Sequence, residues 1–224
     1  MMTWSSPDAE VNSMSAQEVY AALRERDDLR NVTLTEPLDL THKALRARPG
    51  SAAKRTIVFD QVDFAHGLEA KEGDEVVPHL VFREAAVQSI EAQNVNWRGT
   101  VTFEGGEIHG WAAFDHNTFD SAVQFKVVQF HGGVNFRGTV FRHQVDFLQC
   151  DFVGGETAGF SNVHFLAPAH FNDSAFKGLA KFAAAVFEGD ASFVGIRASQ
   201  GAAFHNVMFL KDAEFRFATI DSGH

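Results

Sequence analysis

The chain has 224 residues, a hydrophobic content of 45%, a net charge of −10 and one cysteine. A single cysteine excludes an intramolecular disulfide, the negative charge argues against direct nucleic-acid binding, and no apolar run approaches the ~18 residues of a membrane helix. The first 15 residues also lack a basic region followed by an apolar core, so we expect a cytoplasmic protein with no membrane association.

The N-terminal residues predict a capped helix. Residues 1–14 are expected to form a disordered tail, and Ser15 followed by Glu18 is typical of a capping box. We predict a helix over 16–27 that lies across the first repeat of the chain; the alternative is a mobile tail. The face that this helix would bury contains Val19, Ala22, Leu23 and Arg26.

The region that follows is less regular. Residues 15–56 are expected to combine the helix with two weak repeats, and 41–56 within them predict a basic loop or short helix. Residues 65–79 predict an acidic insertion. Interrupting loops often carry function on a regular scaffold, but two solvated segments that pair with each other are an equal alternative. The basic residues are Lys43, Arg46, Arg48, Lys54 and Arg55, and the main acidic ones are Glu69, Glu72, Asp74 and Glu75.

Phenylalanine recurs at a fixed spacing through 57–224. Of the 23 phenylalanines, all but Phe217 fall on one lattice with a step of 11 residues and a second track five residues behind. Self-similarity at a fixed period indicates a solenoid, which crosses most of the chain. The predicted core rings are Phe103, Phe114, Phe125, Phe136, Phe147, Phe160, Phe171, Phe182, Phe193 and Phe204.

Each unit of this lattice predicts a short strand and a turn. A small or β-branched residue precedes each large one by two positions, as Val134 precedes Phe136, and alternate residues of a strand point to the same face. Glycine is common two positions after the large residue, which predicts corners with a positive φ. These glycines are Gly99, Gly105, Gly110, Gly132, Gly138, Gly154, Gly178, Gly189 and Gly195.

Units such as 134–138, 191–195 and 213–217 resemble the pentapeptide-repeat family, in its Phe-rich branch, with five- and six-residue units alternating. The resemblance covers roughly residues 57–220. It implies an all-β fold, a right-handed four-sided parallel β-helix with one repeat on each side, here with an N-terminal capping α-helix. Four units take 22 residues, so we expect about 7.5 coils and a rod roughly 35 Å long at ~4.8 Å per coil.

The C-terminal end of the predicted solenoid has no such cap. Phe215, Phe217 and Ile220 are its last large apolar residues, and an uncovered coil would expose them together with unpaired strand edges. Members of the family often dimerise at this end, so the resemblance implies a homodimer through these three residues. A chain truncated before its cap is the alternative.

The histidines do not predict a metal site. His109 and His131 are 22 residues apart and should stack on adjacent coils, but Val153 takes the next position of their column. Without a third ligand in that column, we predict solvated histidines.

The remaining candidates do not predict catalysis. Cys150 falls in an inward small slot, where a thiol packs as a small hydrophobe and is not an exposed nucleophile. Trp97 occupies a core slot, whereas Trp111 lies at a corner and is a candidate contact residue. We therefore predict no catalytic, cofactor-binding or metal-binding residues and no cofactor.

The function expected from these observations is a non-enzymatic scaffold that presents a rigid surface to a protein partner. The resemblance also implies an alternative, because some relatives imitate the shape and charge of DNA and inhibit or protect DNA gyrase or another type II topoisomerase. The regular repeats, residues 80–224, carry 15 acids and 10 bases, which is weakly acidic for such a mimic. A carbohydrate-active β-helix enzyme is a second alternative. The acids that a mimic would use are Glu104, Glu107, Asp115, Asp120, Asp146 and Asp151.

Overall fold

A computed structural model describes residues 12–46, 54–154 and 158–221. The chain order begins with strand β1 (Asn12–Met14) and helix α1 (Ala16–Glu25), and a short 3-10 helix covers Lys43–Leu45. The other strands are β2 (Asp28–Arg30), β3 (Val32–Leu34), β4 (Leu38–Asp39), β5 (Thr56–Asp60), β6 (Asp63–Phe64), β7 (Leu68–Glu69), β8 (Glu75–Val76), β9 (His79–Arg83), β10 (Ala86–Val87), β11 (Ile90–Glu91), β12 (Asn96–Trp97), β13 (Val101–Glu104), β14 (Glu107–Ile108), β15 (Ala112–Ala113), β16 (Thr118–Phe119), β17 (Val123–Lys126), β18 (Gln129–Phe130), β19 (Val134–Asn135), β20 (Val140–Phe141), β21 (Val145–Leu148), β22 (Asp151–Phe152), β23 (Ala158–Gly159), β24 (His164–Phe165), β25 (Ala169–His170), β26 (Ala175–Phe176), β27 (Ala180–Lys181), β28 (Val186–Phe187), β29 (Ala191–Ser192), β30 (Arg197–Ala198), β31 (Ala202–Ala203), β32 (Met208–Phe209), β33 (Ala213–Glu214) and β34 (Thr219–Ile220).

These strands stack into four parallel sheets, which form the four sides of a β-solenoid of about nine turns. The first side is β2-β5-β9-β13-β17-β21-β25-β29-β33, and the second is β1-β3-β6-β10-β14-β18-β22-β26-β30-β34. The third side is β4-β7-β11-β15-β19-β23-β27-β31, and the fourth is β8-β12-β16-β20-β24-β28-β32. The predicted all-β, four-sided helix with an N-terminal α-helix is therefore confirmed. It has more coils than the predicted 7.5, because leucine and valine fill the large slots at the N-terminal end.

Ring columns fill the interior. The register places Phe103 opposite Phe125 and Phe125 opposite Phe147, and their ring centroids lie 5.0 and 5.1 Å apart. Rings of neighbouring sides meet edge to face, as Phe136 and Phe147 do at 5.5 Å and 74°. Both arrangements are favourable for aromatic quadrupoles. Nine of the ten predicted core rings are buried, whereas Phe204 is half-buried because it lies in the last full coil.

Four inward small slots hold polar residues that satisfy the backbone between coils. The Asn117 side chain accepts a hydrogen bond from the Val95 amide at 2.8 Å and donates one to the Ala92 carbonyl at 2.6 Å. Thr139 Oγ1 donates to the Phe114 carbonyl at 2.6 Å. Buried polar groups are tolerated when each has a partner, so these slots need neither water nor a ligand. The four residues are Asn117, Thr139, Cys150 and Ser174.

The corners are of two kinds, and the predicted role of their glycines is correct for only one. Five-residue corners place a positive φ two positions after the large residue, at Gly105, Gly138 and Gly195 but also at Val127 (φ 58°). In six-residue corners glycine is needed for close approach: a Cβ on Gly132 would lie 2.2 Å from the Gly110 carbonyl oxygen. The positive φ predicted for Gly99, Gly110, Gly132, Gly154, Gly178 and Gly189 is therefore wrong.

The N-terminal cap follows the prediction closely. α1 begins after Ser15, whose side chain accepts from the Glu18 amide while the Glu18 carboxylate accepts from the Ser15 amide at 2.8 Å, and the helix ends at Glu25, two residues earlier than predicted. It buries Val19 and Leu23, whereas Arg26 is exposed. In the predicted tail, 12–14 form β1; the rest of that tail lies outside the described residues.

Of the two irregular segments, 65–79 differs from its sequence-based description, whereas the described part of 41–56 contains the predicted short helix. Residues 65–79 do not leave the solenoid, because β7 pairs with β4 and β11 and β8 pairs with β12. Within the basic segment 41–56, the described part contains the 3-10 helix and Arg55, whose side chain is 5% exposed. Arg55 donates to the Ala44 carbonyl at 2.9 Å and to two carbonyls at the end of α1, and it pairs with Asp27. This arginine joins the cap to the solenoid.

Candidate functional site

A shallow groove of about 620 Å³ runs along the third side of the solenoid. It crosses β19, β23 and β27, and Trp111 stands at its N-terminal end with 42% of its surface exposed. The residues that line it are Trp111, Val134, Asn135, Arg137, Gly159, Ser161, Asn162, Lys181, Ala183, Ala184, His205 and Asn206. A large exposed aromatic beside a concave surface is typical of a contact site.

The position of Trp111 follows from the corner that precedes β15. Gly133 takes the equivalent place one coil later, and a Cβ on it would lie 1.9 Å from Cζ3 of Trp111. The six-membered ring of the indole therefore packs closely against Gly133. Trp111, predicted from the sequence as a contact candidate, lies at the edge of the groove.

Small outward residues form the groove floor. Gly159 of β23 lies between Asn135 and Lys181 in its column. Two residues later, Ser161 and Ala183 occupy successive coils between Arg137 and His205. Arg137 and Lys181 stand above this floor, and among the described lining residues there is no carboxylate. The groove is thus apolar at its base and basic along its walls. The sequence does not predict this set, because these side chains come together only when successive coils are stacked.

The same side is acidic nearer the N-terminus. Asp39, Glu69 and Glu91 pair directly in register on β4, β7 and β11, so three carboxylates are stacked at strand spacing. Burial opposes ionisation of Asp39, but hydrogen bonds from Thr41 and Lys71 outweigh it and hold the pKa of Asp39 below its usual value. Lys71 Nζ lies 3.0 Å from Asp39 Oδ2. The charge of the third side therefore changes along its length, from acidic near the N-terminus to basic at the groove.

The six acids considered for DNA mimicry lie on different sides. Glu104 and Asp146 are on the first side, Glu107 and Asp151 on the second, and Asp115 and Asp120 follow the third and fourth strands of their coil. Glu104 pairs with Arg83 at 3.0 Å, and Asp120 pairs with both Arg98 at 2.5 Å and Arg142 at 3.0 Å. Asp146 is 9% exposed and lies 2.7 Å from His170 Nδ1. These carboxylates do not form one acidic stripe.

The two predicted stacking histidines do stack, and a carboxylate joins them. The His109 and His131 rings lie 5.6 Å apart at 19°, as their spacing predicts. Glu107, two residues before His109, reaches both rings. Glu107 lies outside the column of His109 and His131, so the 22-residue spacing does not predict it as a third ligand. The signal was the Glu-x-His pattern itself, since residues two apart in a strand share a face.

Cys150 lies where the sequence places it. It is fully buried, and its thiol donates to the Phe125 carbonyl at 3.3 Å. Burial raises the pKa of Cys150 to about 12. Because the thiolate is the reactive form, this cysteine is chemically inert in the folded chain. Trp97 is also buried, as predicted.

The last coil exposes apolar side chains. Phe217 is 84% exposed, and Phe215 and Ile220 are 38% and 42% exposed. β31 to β34 are the terminal strands of the four sheets, so one edge of each lacks a strand neighbour among the described residues. Met208 and Leu210 extend the apolar surface onto the fourth side.

Comparison of the chain with protein-family models, curated proteins and solved structures finds no match. No helix in the described part of the chain is long and apolar enough to cross a membrane. The surface geometry is therefore the basis on which a function is assigned.

Proposed function

We propose that this chain is a non-enzymatic binding scaffold whose groove on the third side holds an extended, acidic segment of a protein partner. The observation that carries the proposal is the combination of exposed Trp111 with Arg137 and Lys181 around a floor of small residues. Tryptophan and arginine are the residues that most often dominate binding energy at interfaces.

The groove suits an extended segment for a physical reason. Its floor is the outer surface of a stacked parallel sheet, which presents small side chains at regular spacing and no wide cavity. Apolar side chains of a partner would pack against the indole, and its carboxylates would meet Arg137 and Lys181. The stacked core rings keep this surface rigid, so little conformational entropy is lost on binding.

The test is comparative capture of partners from lysate with four versions of the protein. We expect a set of proteins bound by the wild type to be lost with Trp111→Ala and with Lys181→Glu. The matched control is Lys177→Glu, an exposed lysine on the second side, which should retain the set. Direct binding of an acidic peptide derived from a captured protein should then weaken about tenfold or more with Trp111→Ala. Identical capture by all four proteins would contradict the proposal.

A DNA-mimicking modulator of gyrase is less well supported as a function. Such a mimic needs a continuous acidic face, whereas the six candidate carboxylates are distributed over several sides and Glu104 and Asp120 are ion-paired. A gyrase supercoiling assay, with and without a fluoroquinolone, tests it directly. Inhibition or drug rescue would support it over the general scaffold.

We also propose that two copies of the scaffold associate through the last coil. Phe217, Phe215 and Ile220 are exposed apolar residues of the last coil, and the adjoining strand edges have no neighbour among the described residues. Association with a second copy would remove both the apolar side chains and the strand edges from water.

Light scattering coupled to size-exclusion chromatography measures this association. We expect a dimer for the wild type and a monomer for Phe217→Asp. Val153→Asp, an exposed valine in mid-solenoid, is the matched control and should remain dimeric. A wild-type monomer at all concentrations would refute the proposal.

A further inference from the structure

The backbone brings Glu107, His109 and His131 together on the second side. Glu107 of β14 pairs with Gln129 of β18, and Ile108 pairs with Phe130, so the histidines that follow are neighbours on adjacent coils. Ile108 and Phe130 are buried, and the His109 and His131 amides donate to backbone carbonyls at 2.9 and 2.8 Å. Three side chains with metal-binding atoms therefore extend outward from a rigid base.

The distances match those of ligands that share one ion. Glu107 Oε2 lies 3.2 Å from His131 Nε2 and 3.7 Å from His109 Nδ1, and the three ligand atoms are all within 4.8 Å of one another. Ligands about 2.1 Å from a tetrahedral ion are about 3.4 Å apart. Small rotations of two imidazoles would complete this geometry without movement of the backbone.

The environment leaves room for an ion. The side chains of Glu107 and His109 are 46% and 45% exposed, and that of His131 is 35% exposed. The corners after the histidines contain Gly110 and Gly132, which add no side chains. Three protein ligands on an open surface leave at least one coordination position facing solvent.

We propose that Glu107, His109 and His131 form a binding site for one divalent transition-metal ion of the Zn²⁺ class. Two imidazole nitrogens and one carboxylate oxygen suit such ions, whereas Mg²⁺ and Ca²⁺ prefer sites built of oxygen ligands alone. The ion would cross-link adjacent coils beside the corner that carries Trp111. This site is independent of the groove and of dimerisation.

Isothermal titration of metal-stripped protein with Zn²⁺ at neutral pH tests the site. We expect one more ion bound per chain in the wild type than in His131→Ala, with affinity at that site lowered at least about tenfold in Glu107→Gln. Mg²⁺ should not compete. His164→Ala, an exposed histidine on the fourth side, is the matched control and should bind as the wild type does.

Thermal unfolding gives a second readout, because a ligand that binds only the folded state raises the melting temperature. Zn²⁺ should stabilise the wild type and His164→Ala, and should not stabilise His131→Ala. No difference between the wild type and His131→Ala in either measurement would overturn the site and leave an ordinary ion pair. Unchanged binding by Glu107→Gln would overturn the role assigned to Glu107.

Discussion

At the scale of single residues, the large interior slots are mostly filled by side chains that stack as flat rings and carry no polar group. Phenylalanine fills the large slots because a ring with no hydroxyl stacks in a column without needing a hydrogen-bond partner. Trp97 shows the cost of departing from this rule, since its buried Nε1 has no partner among the described residues. The polar small slots, such as Asn117 and Thr139, avoid that cost by bonding to the backbone of the preceding coil.

Val127 is the residue whose backbone conformation fits its side chain least. Its φ of 58° lies in the left-handed region, which is costly for a β-branched residue and which asparagine tolerates. We expect Val127→Asn to increase the free energy of unfolding by about 1 kcal/mol. Val153→Asn, at an exposed valine outside that region, should give no gain in the same denaturant titration.

The lowered pKa of His79 predicts that the folded protein loses stability in mild acid. Its Nδ1 accepts a hydrogen bond from the Thr100 amide at 2.9 Å, and burial, with a smaller effect of Lys54, lowers the pKa of His79 below 6.5. As pH falls through 6.5, the unfolded chain takes up a proton before the folded chain does, so stability decreases. The melting temperature should fall less between neutral pH and pH ~5 in His79→Gln than in the wild type. Equal pH dependence in the two proteins would show that His79 does not contribute.

At the scale of elements, most strands contain only two residues and depend on the coils above and below them. The N-terminal end of α1 is defined by local sequence, through the reciprocal bonds of Ser15 and Glu18. Its position depends on tertiary contacts: the Tyr20 hydroxyl accepts from the Asp39 amide at 2.9 Å, and Arg55 binds the carbonyls at its C-terminal end. Burial raises the pKa of Tyr20 to about 12, so this contact persists at ordinary pH.

Removal of the helix cap should loosen the N-terminal cover. We expect Ser15→Ala to destabilise α1 by about 1 kcal/mol, because the first-turn amides lose their acceptor. Hydrogen exchange across 16–25 should accelerate, while exchange in the central coils stays unchanged. Ser13→Ala, at an exposed serine of β1, should leave exchange in α1 as it is.

At the scale of the whole molecule, each coil contacts only its neighbours, so stability depends on position along the axis. Phe147 stacks between Phe125 at 5.1 Å and Phe171 at 5.2 Å. Phe204 stacks on Phe182 at 5.1 Å and, among the described residues, has no later ring in its column. The centre and the end of the solenoid therefore respond differently to the same substitution.

Phe147→Ala should lower the free energy of unfolding by about 3–5 kcal/mol, because a fully buried ring leaves a cavity between two others. Phe204→Ala should cost less than half as much, since that ring is partly exposed and has one stacked neighbour. Denaturant titration of both variants measures the difference. Equal losses would indicate that the solenoid unfolds without regard to position.

The amino-acid sequence alone predicts the solenoid, its ring columns and its helical cap, and the resemblance of its units to pentapeptide repeats implied the four sides. A 22-residue period with a small residue two places before each large one permits one inward face per strand, and the capping box is local. It also predicted the stacking of His109 and His131 and the corner position of Trp111. The prediction of an acidic insertion at 65–79 was wrong, because Leu68 and Val76 fill inward slots there and no phenylalanine marks them.

Most contacts between outward residues, apart from the stacking of His109 and His131, became apparent only in the folded solenoid. The groove needs four stacked coils to bring Trp111 and Lys181 to one surface. The position of the Glu107 carboxylate beside the two histidines depends on the conformation of its side chain. Arg55, predicted to lie in a basic loop or short helix, is buried and donates hydrogen bonds to carbonyls at the end of α1. Inward residues repeat because every coil has the same core to fill, whereas outward residues are free of that constraint. Their contacts therefore depend on side-chain geometry as well as on register, and the repeat period reports only the register.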